Sequence, residues 1–249
     1  MTEAAPMSFE EFTREARADP AVVGLVLIGS QAHDGLVTEH SDHDLWVVLA
    51  DGATSDLQRL HGHRDAQLDL VVISLSQFRA AGMPGFARYA VARGRVVLDR
   101  LDGEIAAIIA AKQRLGEQEA HDLAAGRLDD YVNLLYRSLK NHRDGHRLAS
   151  RLDAADSLGS ALDLLFAMDR RPRPYNKYLE WELAEYPLPG WDTEALLETV
   201  GAVVATGDPV PQRRLFAQIE AKARAFGIGS VLDAWGEDLA PLHPATAEE

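Results

Sequence analysis

Two short segments, LIGS at residues 27–30 and SDHDLWVV at residues 41–48, decide the fold predicted for this chain. The first closes a continuously apolar run that begins at Val22, and the second opens another run of the same type. Short runs rich in β-branched residues are typical of buried strands. Further runs at residues 68–73 and 96–98 extend the pattern to a small sheet, with short helical patterns between the strands.

The second half of the chain has a different texture. From residue 101 onward the apolar residues recur at helical spacing, prolines separate the segments, and no convincing strand pattern is present. A length of 249 residues suits two compact units as well as one. The sequence therefore predicts an α+β fold: a small mixed β-sheet with flanking helices over residues 1–100, then an all-helical domain over residues 101–249.

The composition limits the class of protein and the partners that this chain can have. With 47% hydrophobic and 26% charged residues the chain has the balance of an ordinary soluble globular protein. No apolar run approaches the roughly 18 residues of a membrane span and the first stretch is acidic, so we expect a cytoplasmic protein with no membrane partner. Without cysteine, any metal ligands must be oxygen or imidazole. A net charge of −14 repels polyanions, which disfavours nucleic acid and favours a cationic small molecule.

Asp42 and Asp44 are the first candidates for chemistry. Residues two apart on a strand point to the same face, so the pattern places two carboxylates side by side. At about 4 Å and an effective dielectric near 20 their repulsion is roughly 4 kcal/mol. A compensating cation is therefore expected, and oxygen ligands favour Mg²⁺ or Mn²⁺ over zinc.

Asp69 is the third candidate, because it interrupts the apolar run at residues 68–73. An unpaired charge inside a strand is costly. Neighbouring strands lie about 4.8 Å apart, so Asp69 can reach the Asp42 and Asp44 pair if its strand is adjacent. The alternative is a strand-end acid that faces water after a shift of register.

A Gly-Ser pair after one strand, followed by Asp-x-Asp opening the next, resembles the signature of the nucleotidyltransferase superfamily with a polymerase-β-like palm. The resemblance covers residues 22–73. It implies that Asp42, Asp44 and Asp69 hold two Mg²⁺ ions, that Gly29 and Ser30 hold the triphosphate of an NTP, with ATP expected, and that a nucleoside monophosphate is transferred as pyrophosphate leaves. Asp69 is either a metal ligand or the base that deprotonates the acceptor, and both roles stay open.

Two lysines of the helical half are candidates for contact with the nucleotide. Lys177 lies among tyrosines in a segment weakly similar to the nucleotide-facing part of antibiotic nucleotidyltransferases, which have a C-terminal helical domain. Lys140 follows Tyr136 by four residues and Tyr131 by nine, so a helix brings it near Tyr136. Both lysines are equally compatible with surface positions whose stems pack on aromatic rings.

The acceptor implied by this resemblance is a small, cationic, hydroxyl-bearing molecule such as an aminoglycoside. The alternatives are an enzyme that nucleotidylates a protein or an RNA end, and a nucleotide-binding member of the fold without catalysis. The histidines around the motif fit no familiar zinc spacing, and we predict solvated loop positions for them. They are His33, His40, His43, His61 and His63.

Overall fold

The computed structural model describes residues 7–83 and 87–244. The chain divides into two compact units, Met1–Arg114 and Leu115–Glu249. The division lies later than the predicted position 100, because the helix Glu104–Lys112 belongs to the first unit and buries Ile105 and Ile109 against its sheet.

The first unit contains four strands, four α-helices and two 3₁₀ helices among its described residues. The helix at its start has a capping box, in which Ser8 accepts from the Glu11 N–H and the Glu11 carboxylate accepts from the Ser8 N–H. The sequence shows a helical pattern over residues 75–92, of which positions 84–86 lie outside the described residues. The elements are α1 Phe9–Ala18, β1 Val22–Ile28, β2 His43–Leu49, β3 Leu68–Ser74, α2 Leu75–Ala80, α3 Arg88–Ala92, β4 Arg95–Asp99 and α4 Glu104–Lys112.

The four strands form one mixed sheet in the order β3-β2-β1-β4. β1 pairs antiparallel with both β2 and β4, whereas β2 pairs parallel with β3. The end of β1 and the beginnings of β2 and β3 therefore meet at one edge of the sheet. The register places Ile28 opposite Asp44 and Asp44 opposite Asp69, so the three segments singled out from the sequence lie side by side.

Helices cover both faces of this sheet, which explains why β1 is a continuous apolar run. On one face Phe12 of α1 packs with Leu25 and other side chains of the strands. On the other face Phe78 of α2 and Ile105 of α4 pack with Val26 and its neighbours. A strand buried on both sides has no solvent face to mark with polar residues.

The second unit has only helical elements among its described residues, so the predicted α+β architecture is confirmed. Its core is built on the long antiparallel pair α5, Glu117–Arg143, and α6, Arg147–Met168, which a short turn joins. No helix in the described part of the chain combines the length and hydropathy needed to cross a bilayer. The helices are α5 Glu117–Arg143, α6 Arg147–Met168, α7 Leu179–Glu185, α8 Thr193–Thr206, α9 Pro209–Phe226 and α10 Gly229–Asp233.

Candidate functional site

The structure brings the three predicted carboxylates together at the edge where β1 ends and β2 and β3 begin. One carboxylate oxygen from each of Asp42, Asp44 and Asp69 lies within 4.8 Å of the other two. Asp44 and Asp69 are register partners on the parallel strands, and Asp42 immediately precedes β2. All three residues are half-buried, so the cluster is held by the sheet and still open to solutes.

The donor set of this cluster fits a hard divalent cation. Three carboxylates provide only oxygen atoms, which Mg²⁺ and Mn²⁺ prefer. Two oxygens on one Mg²⁺ are at most about 4.2 Å apart, which is twice the metal–oxygen distance. All three separations lie within 4.8 Å, close to this limit, so side-chain rotations can bring the groups into ligating range. His43, between the two aspartates in sequence, stacks on Phe9 with ring centroids 4.3 Å apart and does not add to the donor set.

Gly29 supports the position of Asp44. Its backbone has φ +67°, a left-handed conformation that side chains disfavour. A Cβ added there would lie 1.9 Å from Asp44 Oδ2. Any other residue would therefore enter the space that the carboxylate occupies, and the glycine is required by both conformation and proximity.

Ser30 ties the turn after β1 to the loop that leads into β2. It is 4% exposed, and its Oγ donates to Ser41 Oγ at 3.0 Å. Ser41 Oγ in turn accepts from the Thr38 N–H at 2.9 Å. The Gly-Ser pair begins a single 3₁₀ turn, Gly29–Ala32, so the amides of this turn act as local donors with little helix dipole behind them. A phosphate contact from the Ser30 hydroxyl requires that its bond to Ser41 rearrange.

His33 is a structural member of this site that sequence reasoning missed. The prediction of a solvated loop histidine is wrong for this residue, which is 2% exposed. Its Nδ1 lies 2.7 Å from the Gly29 carbonyl oxygen and its Nε2 lies 3.3 Å from the Tyr89 hydroxyl. Because a carbonyl only accepts, Nδ1 carries a proton, and a neutral ring then accepts from Tyr89 at Nε2. The ring thereby fixes the peptide of Gly29.

Arg64 is the second residue that the sequence did not reveal. Its Nε donates to Asp69 Oδ2 at 2.7 Å, and its Nη2 contacts the same oxygen. The arginine side chain is 74% exposed, whereas that of Asp69 is 19% exposed. Asp69 therefore has a positively charged neighbour that the spacing of the acidic motif does not predict.

The two candidate lysines belong to the helical unit. Both are exposed, and the Lys177 ammonium lies 5.4 Å from the centroid of the Tyr178 ring. Lys140 is in the last turn of α5, while Tyr131 of its expected cluster is buried in the core of that unit. The pairing of Lys177 with a tyrosine ring agrees with a surface lysine packed on an aromatic side chain. Nucleotide contact by either lysine stays a prediction.

Comparison with known proteins adds little beyond this geometry. No protein-family model matches the chain, and no curated protein matches its sequence. Among solved structures, a nucleotidyltransferase-like protein from Exiguobacterium sibiricum 255-15 is similar with a TM-score of 0.39 and 11% identity, over 90% of this chain and 88% of that one. A similarity this low carries no inference about function.

Proposed function

We propose that this protein is a metal-dependent nucleotidyltransferase, which moves a nucleoside monophosphate from an NTP to a hydroxyl group of a small molecule. The observation that supports this proposal is the convergence of Asp42, Asp44 and Asp69 beside the Gly29 turn. An acidic cluster alone fits many roles. A carboxylate packed against a glycine turn provides a cation site, and the amides of that turn provide donors for a phosphate chain at the same edge of the sheet.

The chain's residues have distinct tasks in this reaction. Asp42 and Asp44 bind the divalent ions, and Asp69 either completes the ligand set or takes the proton of the acceptor hydroxyl. Bound Mg²⁺ or Mn²⁺, as one or two ions, neutralises phosphate charge and assists in-line displacement at the α-phosphorus. Gly29 leaves room for the Asp44 carboxylate, the amides of its turn would bond the phosphates, and His33 keeps its peptide fixed. A bond forms from the acceptor oxygen to the α-phosphorus, and the bond to pyrophosphate breaks.

The net charge of the chain favours one class of acceptor. ATP is the proposed donor. The net charge of −14 attracts a cation, so the proposed acceptor is a small cationic molecule with free hydroxyls, of the aminoglycoside type. A protein acceptor is the second candidate, and an RNA acceptor is disfavoured because the same charge repels it. The cysteine-free composition agrees with the proposed cytoplasmic location.

A labelling experiment tests the reaction directly. Purified protein is incubated with Mg²⁺, a panel of aminoglycosides and ATP labelled at either the α- or the γ-phosphate. We expect label in the acceptor from α-labelled ATP only, and labelled pyrophosphate from γ-labelled ATP. Asp42→Asn and Asp44→Asn should remove transfer, while Asp56→Asn, an exposed carboxylate outside the cluster, should leave it unchanged. Label in the acceptor from the γ-phosphate would exclude nucleotidyl transfer.

Two further assays separate the alternatives. Label that appears on a protein or RNA band after incubation with cell lysate identifies a macromolecular acceptor. Calorimetry with ATP distinguishes a non-catalytic nucleotide-binding protein, because such a protein binds equally well in EDTA. For a metal-dependent enzyme, we expect ATP binding to weaken strongly when the divalent ion is removed.

A further inference from the structure

The ion pair between Arg64 and Asp69 joins an exposed cation to a member of the metal cluster. Two nitrogens of the guanidinium contact the same oxygen, Asp69 Oδ2. The Nε hydrogen bond and the Nη2 ion pair engage lone pairs of Oδ2 that a metal ion at this oxygen would need. A divalent ion at this oxygen would also lie beside a positive charge. The guanidinium and an ion bound at Oδ2 therefore compete for the same oxygen.

The backbone around Arg64 is held against the outer edge of β3. Residues 61–65 run antiparallel to the strand, with an isolated bridge between Arg64 and Asp69. The Gly62 N–H donates to the Leu70 carbonyl oxygen at 2.8 Å, and the Leu70 N–H donates to His63 at 2.9 Å. The position of the Arg64 backbone is thus fixed, and only the side chain is free to turn away.

Asp65 closes the turn that follows. It accepts from the N–H groups of Gln67 and Leu68 at 2.7 and 2.8 Å. These two donors, with His63 contributing less, hold the pKa of Asp65 below its usual range. Asp65 therefore stays ionised near neutral pH and keeps the turn formed, whether or not Arg64 contacts Asp69.

We propose that the Arg64 guanidinium is a displaceable counter-ion of the carboxylate cluster, supplied by the chain itself. It compensates the negative charge of the cluster in the metal-free protein and leaves Asp69 when a divalent ion binds. Its departure costs little, because an ion pair with a partner exposed this far is weak. Arg64 is thus a positioning residue that sets the affinity of the site for metal. The inference rests on the proposed function, in that it requires the cluster to bind divalent ions.

The test measures Mn²⁺ affinity without any turnover. Free Mn²⁺ is followed by electron paramagnetic resonance at low ionic strength for the wild type, Arg64→Gln, Arg64→Lys and Arg59→Gln. Arg59 is exposed and lies in the preceding 3₁₀ turn, so its replacement removes the same charge without touching Asp69. We expect Arg64→Gln to bind Mn²⁺ about two- to fivefold more tightly than both the wild type and Arg59→Gln. The Mn²⁺ affinity of Arg64→Lys should fall between those of the wild type and Arg64→Gln.

The effect must also depend on Asp69. In an Asp69→Asn background, replacing Arg64 should change Mn²⁺ affinity no more than replacing Arg59 does. Equal affinities of Arg64→Gln and Arg59→Gln, or weaker binding by Arg64→Gln, would overturn the inference. If Mn²⁺ binding depends on Asp42 but not on Arg64, only this inference fails. Absence of any binding that depends on the cluster overturns the proposed function with it.

Discussion

Replacing Gly29 by alanine tests the geometry of the site most directly. The added Cβ would lie 1.9 Å from Asp44 Oδ2, and real Cβ contacts essentially never fall below 3.0 Å, so one group must move by about 1.1 Å. A displacement of that size exceeds what a Mg²⁺ site with bonds of 2.0 to 2.1 Å tolerates. The left-handed backbone adds about 1–2 kcal/mol of strain. We expect transfer to fall by about 100-fold.

A matched variant separates the clash from the strain. Gly52 has φ +75° and no described atom within 4 Å of an added Cβ, so Gly52→Ala carries the backbone penalty alone. Gly52→Ala should lose about 1–2 kcal/mol of stability in urea denaturation, and Gly29→Ala should lose at least as much. Only Gly29→Ala should lose Mn²⁺ affinity and activity. The reasoning is refuted if folded Gly29→Ala binds Mn²⁺ and transfers nucleotide as the wild type does.

Three other substitutions give contrasting outcomes. Asp42→Asn should lower transfer by at least about 1000-fold in activity assays. In EDTA it should nevertheless raise the free energy of unfolding by about 1 kcal/mol in thermal melts, because the repulsion among the carboxylates is relieved. His33→Ala should cost about 1–3 kcal/mol in urea denaturation and raise KM for ATP more than it lowers kcat, because the Gly29 peptide loses its hydrogen-bond partner. Tyr131→Phe should stabilise the protein by about 1 kcal/mol, because the buried Tyr131 hydroxyl has no hydrogen-bond partner among the described residues; chemical denaturation that shows a loss of stability contradicts this prediction.

The strands and the acidic cluster could be predicted because each leaves a local mark on the sequence. β1 is buried on both faces and reads as one apolar run, while Asp69 was visible as a charge inside such a run. The adjacency of β2 and β3 was a condition of the prediction, since periodicity does not encode which strands pair. The parallel register that sets Asp44 beside Asp69 came only from the structure.

The missed features depend on contacts between distant or weakly patterned positions. His33 is buried through Tyr89, which is far along the chain, and nothing near either residue indicates the pair. Arg64 approaches Asp69 through an irregular turn without a regular spacing. The helical spacing of α4 reveals an apolar face but not its partner, so the sequence does not show that α4 packs on the sheet of the first unit.

The parallel pairing of β2 with β3 also affects how the site assembles. The chain between them, residues 50–67, has to travel back along the sheet before β3 can begin. Such pairings form late, since the entropy of closing the loop precedes any stabilising contact. During folding, Asp42 and Asp44 therefore come together before Asp69 joins them. The complete set of three carboxylates therefore exists only after β3 has joined the sheet, and a protease cut within this crossover would weaken the attachment of Asp69 even while β1 and β2 remain paired.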